Sequence, residues 1–299
     1  MSVPKSIHAL ELGGTLFIPA SRKNLEAVLS GEKYPDLRSV VIDFEDGLAA
    51  TDFQQALDRL DTILENLHEI QLLRFIRPQN PKMFKEFLQR KNIEKIDGFI
   101  LPKFGLNNAE AYLSLVPLPI SHSPFPWYFM PSIEGKELFD IQQLQKLRDI
   151  LLSYQEQIIC IRFGAEDMFR QLGLRRTTTS LYDMLAPAQV IANLITTFKP
   201  HGFNISAPVY PDFSNIHGFE EEIKIELENG LFSKTIIHPS QIEPMNELYK
   251  VAQQELDEAK SILSQHDGVL NLDGKMGEVR TQRVWAKELI VRKRLYGLT

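Results

Sequence analysis

The 299-residue sequence contains one cysteine, Cys160, so the chain cannot form an internal disulfide. It also lacks an excess of basic residues, because 33 Lys and Arg stand against 39 Asp and Glu, a formal net charge of −6. A mildly acidic chain is poorly suited to binding the phosphate backbone of nucleic acids. The single cysteine excludes a scaffold held together by internal disulfides and favours the reducing cytoplasm as the location. The lack of excess positive charge argues against a nucleic-acid partner.

Long apolar runs and several common ligand spacings are missing as well. No apolar run approaches the roughly 18 residues that a membrane span needs, and charged residues interrupt the apolar ones throughout residues 1–14. The histidines show neither His-x-His nor His-Glu-x-x-His spacing. Gly13-Gly14 precedes a predicted strand instead of following one, which does not fit a dinucleotide-binding loop. We therefore expect no membrane span, no signal peptide, no zinc centre and no dinucleotide site.

Short apolar runs rich in Val, Ile and Phe recur along the chain and predict β-strands. The runs are mostly continuous, with little alternation, which is typical of parallel strands that are buried on both faces. The eight predicted strands are 15–19, 39–43, 72–77, 98–102, 127–131, 158–163, 203–208 and 234–238.

Amphipathic stretches between these runs predict helices, such as 53–67 with its apolar stripe at helical spacing, 138–152 and 187–198. Eight strand–helix units predict an α/β fold of the (β/α)₈ TIM-barrel class. A doubly wound open sheet is the alternative, since the strand order is not visible in the sequence. Two more helices, 241–264 and 279–295, follow the eighth strand. We expect a barrel domain over residues 1–265 and a C-terminal helical extension over 266–299.

Polar residues follow the apolar runs, and in such barrels the carboxyl ends of the strands form the functional face. Carboxylates that converge from different strands suit a hard cation such as Mg²⁺. Arginine and lysine beside them suit an anionic substrate. The polar residues at these ends are Asp43, Glu45, Asp46, Arg77, Lys103, Glu134, Glu166, Asp167 and His238.

An ordered set of motifs resembles the citrate lyase β-subunit family, within the metal-dependent aldolases and lyases on TIM barrels. Each motif is weak by itself, but together they follow the family order over about residues 15–295. The motifs are LFIPA (16–20), VIDFEDG (41–47), ILPK (100–103), SIEG (132–135), FGAEDM (163–168), IIHPSQI (236–242) and DGKM (273–276). More narrowly, the chain is similar to a divergent branch of TIM-barrel C–C bond lyases, sometimes encoded near tellurium-resistance genes.

The resemblance implies roles for the matching positions. Glu134 and Asp167 match the two Mg²⁺ ligands of the family. Arg77 matches an arginine that binds the oxo-acid and steadies the developing enolate charge. Glu45 and Asp46 match the acidic pair that orders water near the metal.

Other positions are expected to contact the substrate, to be the alternative oxo-acid-binding arginine or to act as the base. Lys103 matches the lysine after strand four, and Gly164 and Ala165 after strand six are also expected in substrate binding. Arg74 competes with Arg77, because the family's Arg-x-Asn pattern is absent here. The candidates for the base are Glu45, Asp46 and Glu278.

The activity that these roles imply is Mg²⁺-assisted cleavage or formation of a C–C bond. The metal would polarise the oxygen of a small oxo-acid or hydroxy-acid, or of its coenzyme A thioester, and Arg77 would stabilise the oxyanion. The alternatives are a transferase that uses an oxo-acid or phosphoenolpyruvate, and a non-catalytic barrel subunit.

The resemblance also suggests a homotrimer or hexamer in which the C-terminal tail carries Glu278 toward a neighbour's metal. Glu278 stands where the family has Asp, and the family's proline is missing. A tail that folds back on its own barrel is therefore the alternative.

Overall fold

The computed structural model describes residues 7–116, 127–272 and 274–299. Asp273 of the DGKM motif lies outside these residues. The chain divides into two compact units, Met1–Ile242 and Glu243–Thr299. Among the described residues no helix has the length and apolar character that would let it cross a membrane. The cytoplasmic location stays a prediction.

A parallel sheet forms the centre of the first unit. The named strands in its described part are β1 (Thr15–Pro19), β2 (Ser39–Asp43), β3 (Leu73–Arg77), β4 (Gly98–Leu101), β5 (Tyr128–Ile133), β6 (Arg162–Phe163) and β7 (Thr235–Ile236). They pair in the order β6-β5-β4-β3-β2-β1-β7. The first strand therefore has a parallel partner on each side, β2 and β7.

Isolated bridges close the remaining gap between β6 and β7. Ile161 bridges to Ile205 and Ser206 bridges to Phe232, both in parallel. The predicted strand 203–208 is thus present as single bridges and not as a continuous strand. The ring of pairings confirms the predicted α/β barrel. The alternative of an open sheet is wrong, because the bridges through Ile205 and Ser206 connect the two ends of the strand order.

The helices of the first unit fill the intervals between the strands. They are α1 (Leu25–Leu29), α2 (Phe53–Asn66), α3 (Pro81–Leu88), α4 (Ala109–Leu113), α5 (Ile141–Leu152), α6 (Ala165–Leu172), α7 (Leu185–Phe198) and α8 (Ile216–Glu228). The apolar stripe of α2 is buried as its spacing predicts, through Ala56, Leu57, Leu60, Ile63 and Leu64.

The barrel interior is filled by side chains from neighbouring strands. One buried cluster joins Val41 of β2, Phe75 of β3, Ile100 of β4 and Met130 of β5, with Phe17 of β1 packed against it. Side chains alternate between the two faces of a strand. Residues that lie two or four positions after these cluster residues, nearer the carboxyl end of each strand, therefore also point into the barrel.

The second unit contains α10 (Gln253–Ser264), the hairpin β8 (Val269–Leu272) and β9 (Lys275–Glu278), and α11 (Val279–Tyr296), while α9 (Ile242–Leu248) begins at its edge. The prediction of one helix over 241–264 is wrong. Val251 pairs instead with Leu298, and its N–H donates to Gly297 O at 3.1 Å. This extended pairing satisfies backbone groups that a continuous helix would have used.

The segment after α10 forms a hairpin at the start of the extension that the sequence predicts as helical. Strands β8 and β9 pair antiparallel, with Val269 opposite Glu278. The second unit has a small core of its own, in which Leu256 and Ile262 of α10 lie with Ala286 and Leu289 of α11. The domain boundary after residue 265 stays a prediction, although α10 belongs to the second compact unit.

Candidate functional site at the carboxyl ends of the strands

Asp43 and Arg77 end the neighbouring strands β2 and β3 and form a two-point ion pair. The Nε and Nη2 atoms of Arg77 each donate to one carboxylate oxygen of Asp43 at 2.7 Å. Asp43 also accepts from the backbone N–H groups of Glu45 at 2.9 Å and Gly47 at 3.1 Å. The carboxylate of Asp43 therefore fixes the plane of the Arg77 guanidinium.

The third nitrogen of Arg77 faces Glu45 without hydrogen-bonding to it. Nη1 lies 3.0 Å from Glu45 Oε2, yet that buried oxygen has no hydrogen-bond partner in the described part of the chain. Burial opposes the charge of Arg77, but Asp43 and Glu45 outweigh it and raise the pKa of the guanidinium. Arg77 thus stays charged, with Asp43 on one side of its guanidinium and Glu45 on the other.

Lys103 adds a second positive charge beside Glu45 at the carboxyl ends of the strands, which we call the rim of the barrel. Its ammonium donates to Glu45 Oε1 and lies 3.4 Å from Asp46 Oδ1. Burial raises the pKa of Glu45, while Arg77 and Lys103 lower it in part. The backbone of Lys103 is in the left-handed region, with φ of 48°, and its carbonyl accepts from the Asn108 amide at 2.9 Å. Such a conformation is costly away from glycine and commonly persists at functional positions.

Glu134, which follows β5, and Asp167, in the first turn of α6, lie side by side over Gly164. A Cβ atom on Gly164 would sit 2.8 Å from Glu134 Cγ and 3.3 Å from Asp167 Oδ2. Only a residue without a side chain permits both carboxylates here. Asp167 also accepts a hydrogen bond from Arg170 one turn along α6.

Glu134 carries an unsatisfied buried oxygen. The residue is 5% exposed, and its Oε2 atom has no hydrogen-bond partner among the described residues. Burial is the largest influence on its carboxyl and raises the pKa to about 7. A cation between Glu134 and Asp167 would engage this oxygen and favour the ionised form.

The donor set fits a hard divalent cation with few protein ligands. Glu134 and Asp167 are two carboxylates, and the described residues contain no cluster of three or more His, Cys, Asp or Glu that could enclose a metal. Mg²⁺ commonly binds through one or two carboxylates and leaves its other positions to water or substrate oxygens. The pair therefore fits Mg²⁺ better than a closed structural metal centre.

Strand parity separates Arg77 from its competitor Arg74. Arg74 points away from the barrel interior, where its Nε donates to Leu29 O at 2.9 Å and its Nη2 to His68 O at 3.0 Å. Burial lowers the pKa of Arg74. The structure places Arg77 at the mouth and Arg74 between the strands and the outer helices.

The other predicted residues lie in different surroundings. Asp46 is exposed on the rim, Gly164 precedes α6 at its N-cap, and Ala165 is the buried first residue of that helix. Glu278 ends β9 in the second unit and is exposed. The roles assigned to these residues stay predictions.

Two inward-facing residues had no assigned role in the sequence. Asp43 was visible as a strand-end carboxylate, but its partner could not be identified without the pairing of β2 with β3. Arg162 is buried below the mouth and donates to Thr15 Oγ1 at 2.7 Å and Thr235 Oγ1 at 3.0 Å. Burial lowers the pKa of Arg162. Its hydrogen bonds join β6 to β1 and β7 across the interior.

A pocket of about 590 Å³ opens beside the two carboxylates. Its lining includes Lys103, Glu134, Asp167 and Arg170. A buried and a half-buried carboxylate, a fixed arginine at the same end of the strands and an open pocket can together hold a cation and a small anionic ligand.

Comparison with known proteins agrees with this arrangement. Residues 6–298 match the family described as C–C bond lyases of the TIM-barrel fold, and the chain belongs to that family. The chain is 24% identical over 275 residues to a (3S)-malyl-CoA thioesterase of Cereibacter sphaeroides, which covers 88% of both proteins. It is 29% identical over 128 residues to citrate lyase subunit beta of Escherichia coli, which covers 40% of this chain and 41% of that one.

A solved structure shares the fold over nearly the full length. CitE from Mycobacterium tuberculosis, in complex with magnesium, acetoacetate and coenzyme A, superposes with a TM-score of 0.66 at 19% identity. The match covers 94% of this chain and 97% of that one. The predicted membership in a citrate lyase β-like family on a TIM barrel is confirmed.

Proposed function

We propose that the protein is a Mg²⁺-dependent C–C bond lyase that acts on a small oxo-acid or hydroxy-acid or its coenzyme A thioester. The observation that carries this proposal is the pair Glu134 and Asp167 across Gly164, with a buried Oε2 on Glu134 that has no hydrogen-bond partner among the described residues. Family membership and a relative crystallised with magnesium and acetoacetate support the same chemistry.

The proposal assigns a chemical role to the metal and to four residues on the rim. Bound Mg²⁺ supplies a Lewis acid for the carbonyl or hydroxyl oxygen of the substrate. Arg77 binds the substrate carboxylate through Nη1, and Asp43 holds the guanidinium in place. Glu45 moves the proton, because its Oε2 accepts no hydrogen bond in the described part of the chain and lies beside Nη1, and Lys103 holds the other oxygen.

Exchange of the methyl protons of pyruvate in D₂O tests the proposal without knowledge of the full substrate. We expect the protein to catalyse this exchange with Mg²⁺ and to lose the activity in EDTA, and NMR follows the loss of the methyl signal. Glu45→Gln should slow the exchange by about 10²–10⁴-fold, the usual contribution of a positioned acid–base group. Exchange that persists in EDTA, or that Glu45→Gln leaves intact, would count against the proposal.

We also propose a homotrimer or hexamer in which Glu278 reaches a neighbour's metal. The hairpin and α11 of the second unit support an assembly, because they expose the apolar side chains of Val269, Met276 and Val284. Light scattering should give a trimer or hexamer.

Mixing two inactive variants tests whether the site is shared. In an equal mixture of Glu134→Gln and Glu278→Ala subunits that exchange freely, about a quarter of the sites regain both side chains. Activity should recover accordingly. A monomer, or exchange without recovery, would leave Glu278 outside the site.

A further inference from the structure

Arg162 is a buried cation whose hydrogen bonds in the described part of the chain all go to neutral atoms. The residue is 3% exposed. Its Nη2 and Nη1 donate to the hydroxyl oxygens of Thr15 and Thr235, and its Nε donates to Met130 Sδ at 3.2 Å. Arginine keeps its charge even in a protein interior. The barrel therefore encloses a positive charge to which no described carboxylate is hydrogen-bonded.

This charge lies directly below the proposed active site. In the pairing of β6 with β5, Arg162 is opposite Ser132. Each of the two residues comes two positions before a residue of the site, Gly164 on one strand and Glu134 on the other. Side chains two positions apart share a face of a strand, and barrel interiors are filled in layers. Arg162 thus lies one layer below the carboxylates that face each other over Gly164.

Phe17 lies next to both Arg162 and the proposed substrate arginine. The guanidinium carbon of Arg77 lies 5.4 Å from the centroid of the Phe17 ring, and that of Arg162 lies 5.5 Å from it. Both guanidiniums are therefore cation–π partners of one ring. Burial lowers the pKa of Arg162, and the positive charge of Arg77 lowers it further, because the two cations repel each other.

The balance of charges around the mouth indicates what a buried cation contributes there. Carboxylates outnumber cations, so the mouth by itself disfavours an anion. Burying a charge without a partner also costs folding free energy. An anion bound at the mouth would offset part of that cost. The carboxylates are Asp43, Glu45, Asp46, Glu134 and Asp167, and the cations are Arg77, Lys103 and Arg170.

We propose that Arg162 is a positioning residue whose buried charge strengthens the binding of the anionic substrate without touching it. The inference rests on the proposed function, in which Arg77 binds the substrate carboxylate and Mg²⁺ binds Glu134 and Asp167. The charge of Arg162 acts across the layer that contains Phe17. Its effect grows with the negative charge of the ligand, and it therefore also stabilises charge that develops on the oxo group during the reaction.

Pyruvate and oxalate measure the effect of this charge on ligand binding. The two ligands offer the same pair of neighbouring oxygens to a metal and differ by one negative charge. Two unit charges about 10 Å apart in a protein change a binding constant about tenfold. In titration calorimetry at saturating free Mg²⁺, Arg162→Met should therefore weaken the binding of pyruvate about tenfold and that of oxalate about a hundredfold.

The affinity for the metal distinguishes loss of a charge from damage to the barrel. Removal of a positive charge should raise the affinity for Mg²⁺ alone while the affinity for anions falls. Structural damage would lower both affinities. Replacement of a buried charge by an apolar side chain of similar volume is often neutral or stabilising, so Arg162→Met is expected to fold. Arg162→Gln is a second neutral variant for the same measurements.

Two controls separate the charge of Arg162 from its hydrogen bonds. Arg162→Lys keeps the charge but cannot reach both threonines with the geometry of a guanidinium. It should keep most of the affinity for pyruvate and oxalate. Thr235→Val keeps the shape of the side chain and removes one hydrogen-bond partner of Arg162. It should lower the thermal midpoint of unfolding and leave the affinities for both anions and for Mg²⁺ close to the wild-type values.

The same titrations separate failure of this inference from failure of the proposed function. Unchanged or equally weakened binding of pyruvate and oxalate in the neutral variants, or a fall in their Mg²⁺ affinity, would overturn the role of Arg162 and leave the proposed function standing. A loss in Arg162→Lys as large as that in the neutral variants would do the same. A wild-type protein that binds neither Mg²⁺ nor the two anions would overturn the proposed function and this inference with it.

Discussion

Replacing Glu134 by Gln, or Asp167 by Asn, is expected to lower kcat/KM about a thousandfold, the equivalent of about 4 kcal/mol of transition-state stabilisation. Each variant keeps the size of the side chain but removes one of two carboxylates that face each other over Gly164. A neutral amide cannot replace the charge of a carboxylate next to a divalent cation. Titration calorimetry with Mg²⁺ should show that the affinity falls in both variants.

Glu166→Gln is the matched control for these two changes. Glu166 is an exposed neighbour of Asp167 in the first turn of α6 and is not in the pocket lining. Its replacement should leave Mg²⁺ affinity and kcat/KM close to the wild-type values. Unchanged Mg²⁺ affinity in both Glu134→Gln and Asp167→Asn would show that the metal site lies elsewhere.

Arg77→Lys is expected to lower kcat/KM with oxo-acids by about 10²–10³-fold and to leave Mg²⁺ affinity nearly intact. The guanidinium uses Nε and Nη2 on Asp43 and keeps Nη1 toward the mouth. Lysine has a single nitrogen, which cannot hold Asp43 at two points and present a second donor to the substrate. Steady-state kinetics and Mg²⁺ calorimetry on the same preparation measure the two quantities.

Arg74→Lys is the matched control for Arg77→Lys, because both arginines lie on β3. Arg74 binds the carbonyls of Leu29 and His68 on the outer side of the barrel. Its replacement should lower the thermal midpoint of unfolding and leave oxo-acid turnover largely unchanged. A loss of oxo-acid binding in Arg74→Lys but not in Arg77→Lys would overturn the assignment of the substrate arginine.

The barrel could be predicted from the sequence because most of its strands are continuous apolar runs. The predicted bounds of β1 and β2 agree with the structure, and those of β3 differ by one residue at the start. The segment 203–208 did not form a named strand, because its backbone pairs only through single bridges on each side. The break between α9 and α10 could not be predicted, since it depends on pairing of Val251 with residue 298 at the far end of the chain.

The candidate site could be predicted in part, because its residues directly follow the apolar runs that predict the strands. Strand-end positions placed Arg77, Glu134 and Asp167 among the polar candidates, and the family resemblance assigned their roles. The partnership of Asp43 with Arg77 depends on the register of β2 against β3, which the local sequence does not contain.

A crystal structure with Mn²⁺ in place of Mg²⁺ and with pyruvate is the most direct test of the metal centre. Anomalous scattering locates Mn²⁺ independently of the surrounding density. We predict one anomalous peak within ligand distance of carboxylate oxygens of both Glu134 and Asp167, with the pyruvate carboxylate on Nη1 of Arg77. A Mn²⁺ peak bound by other residues, or pyruvate held away from Arg77 and the two carboxylates, would contradict the assignment of this mouth as the active site.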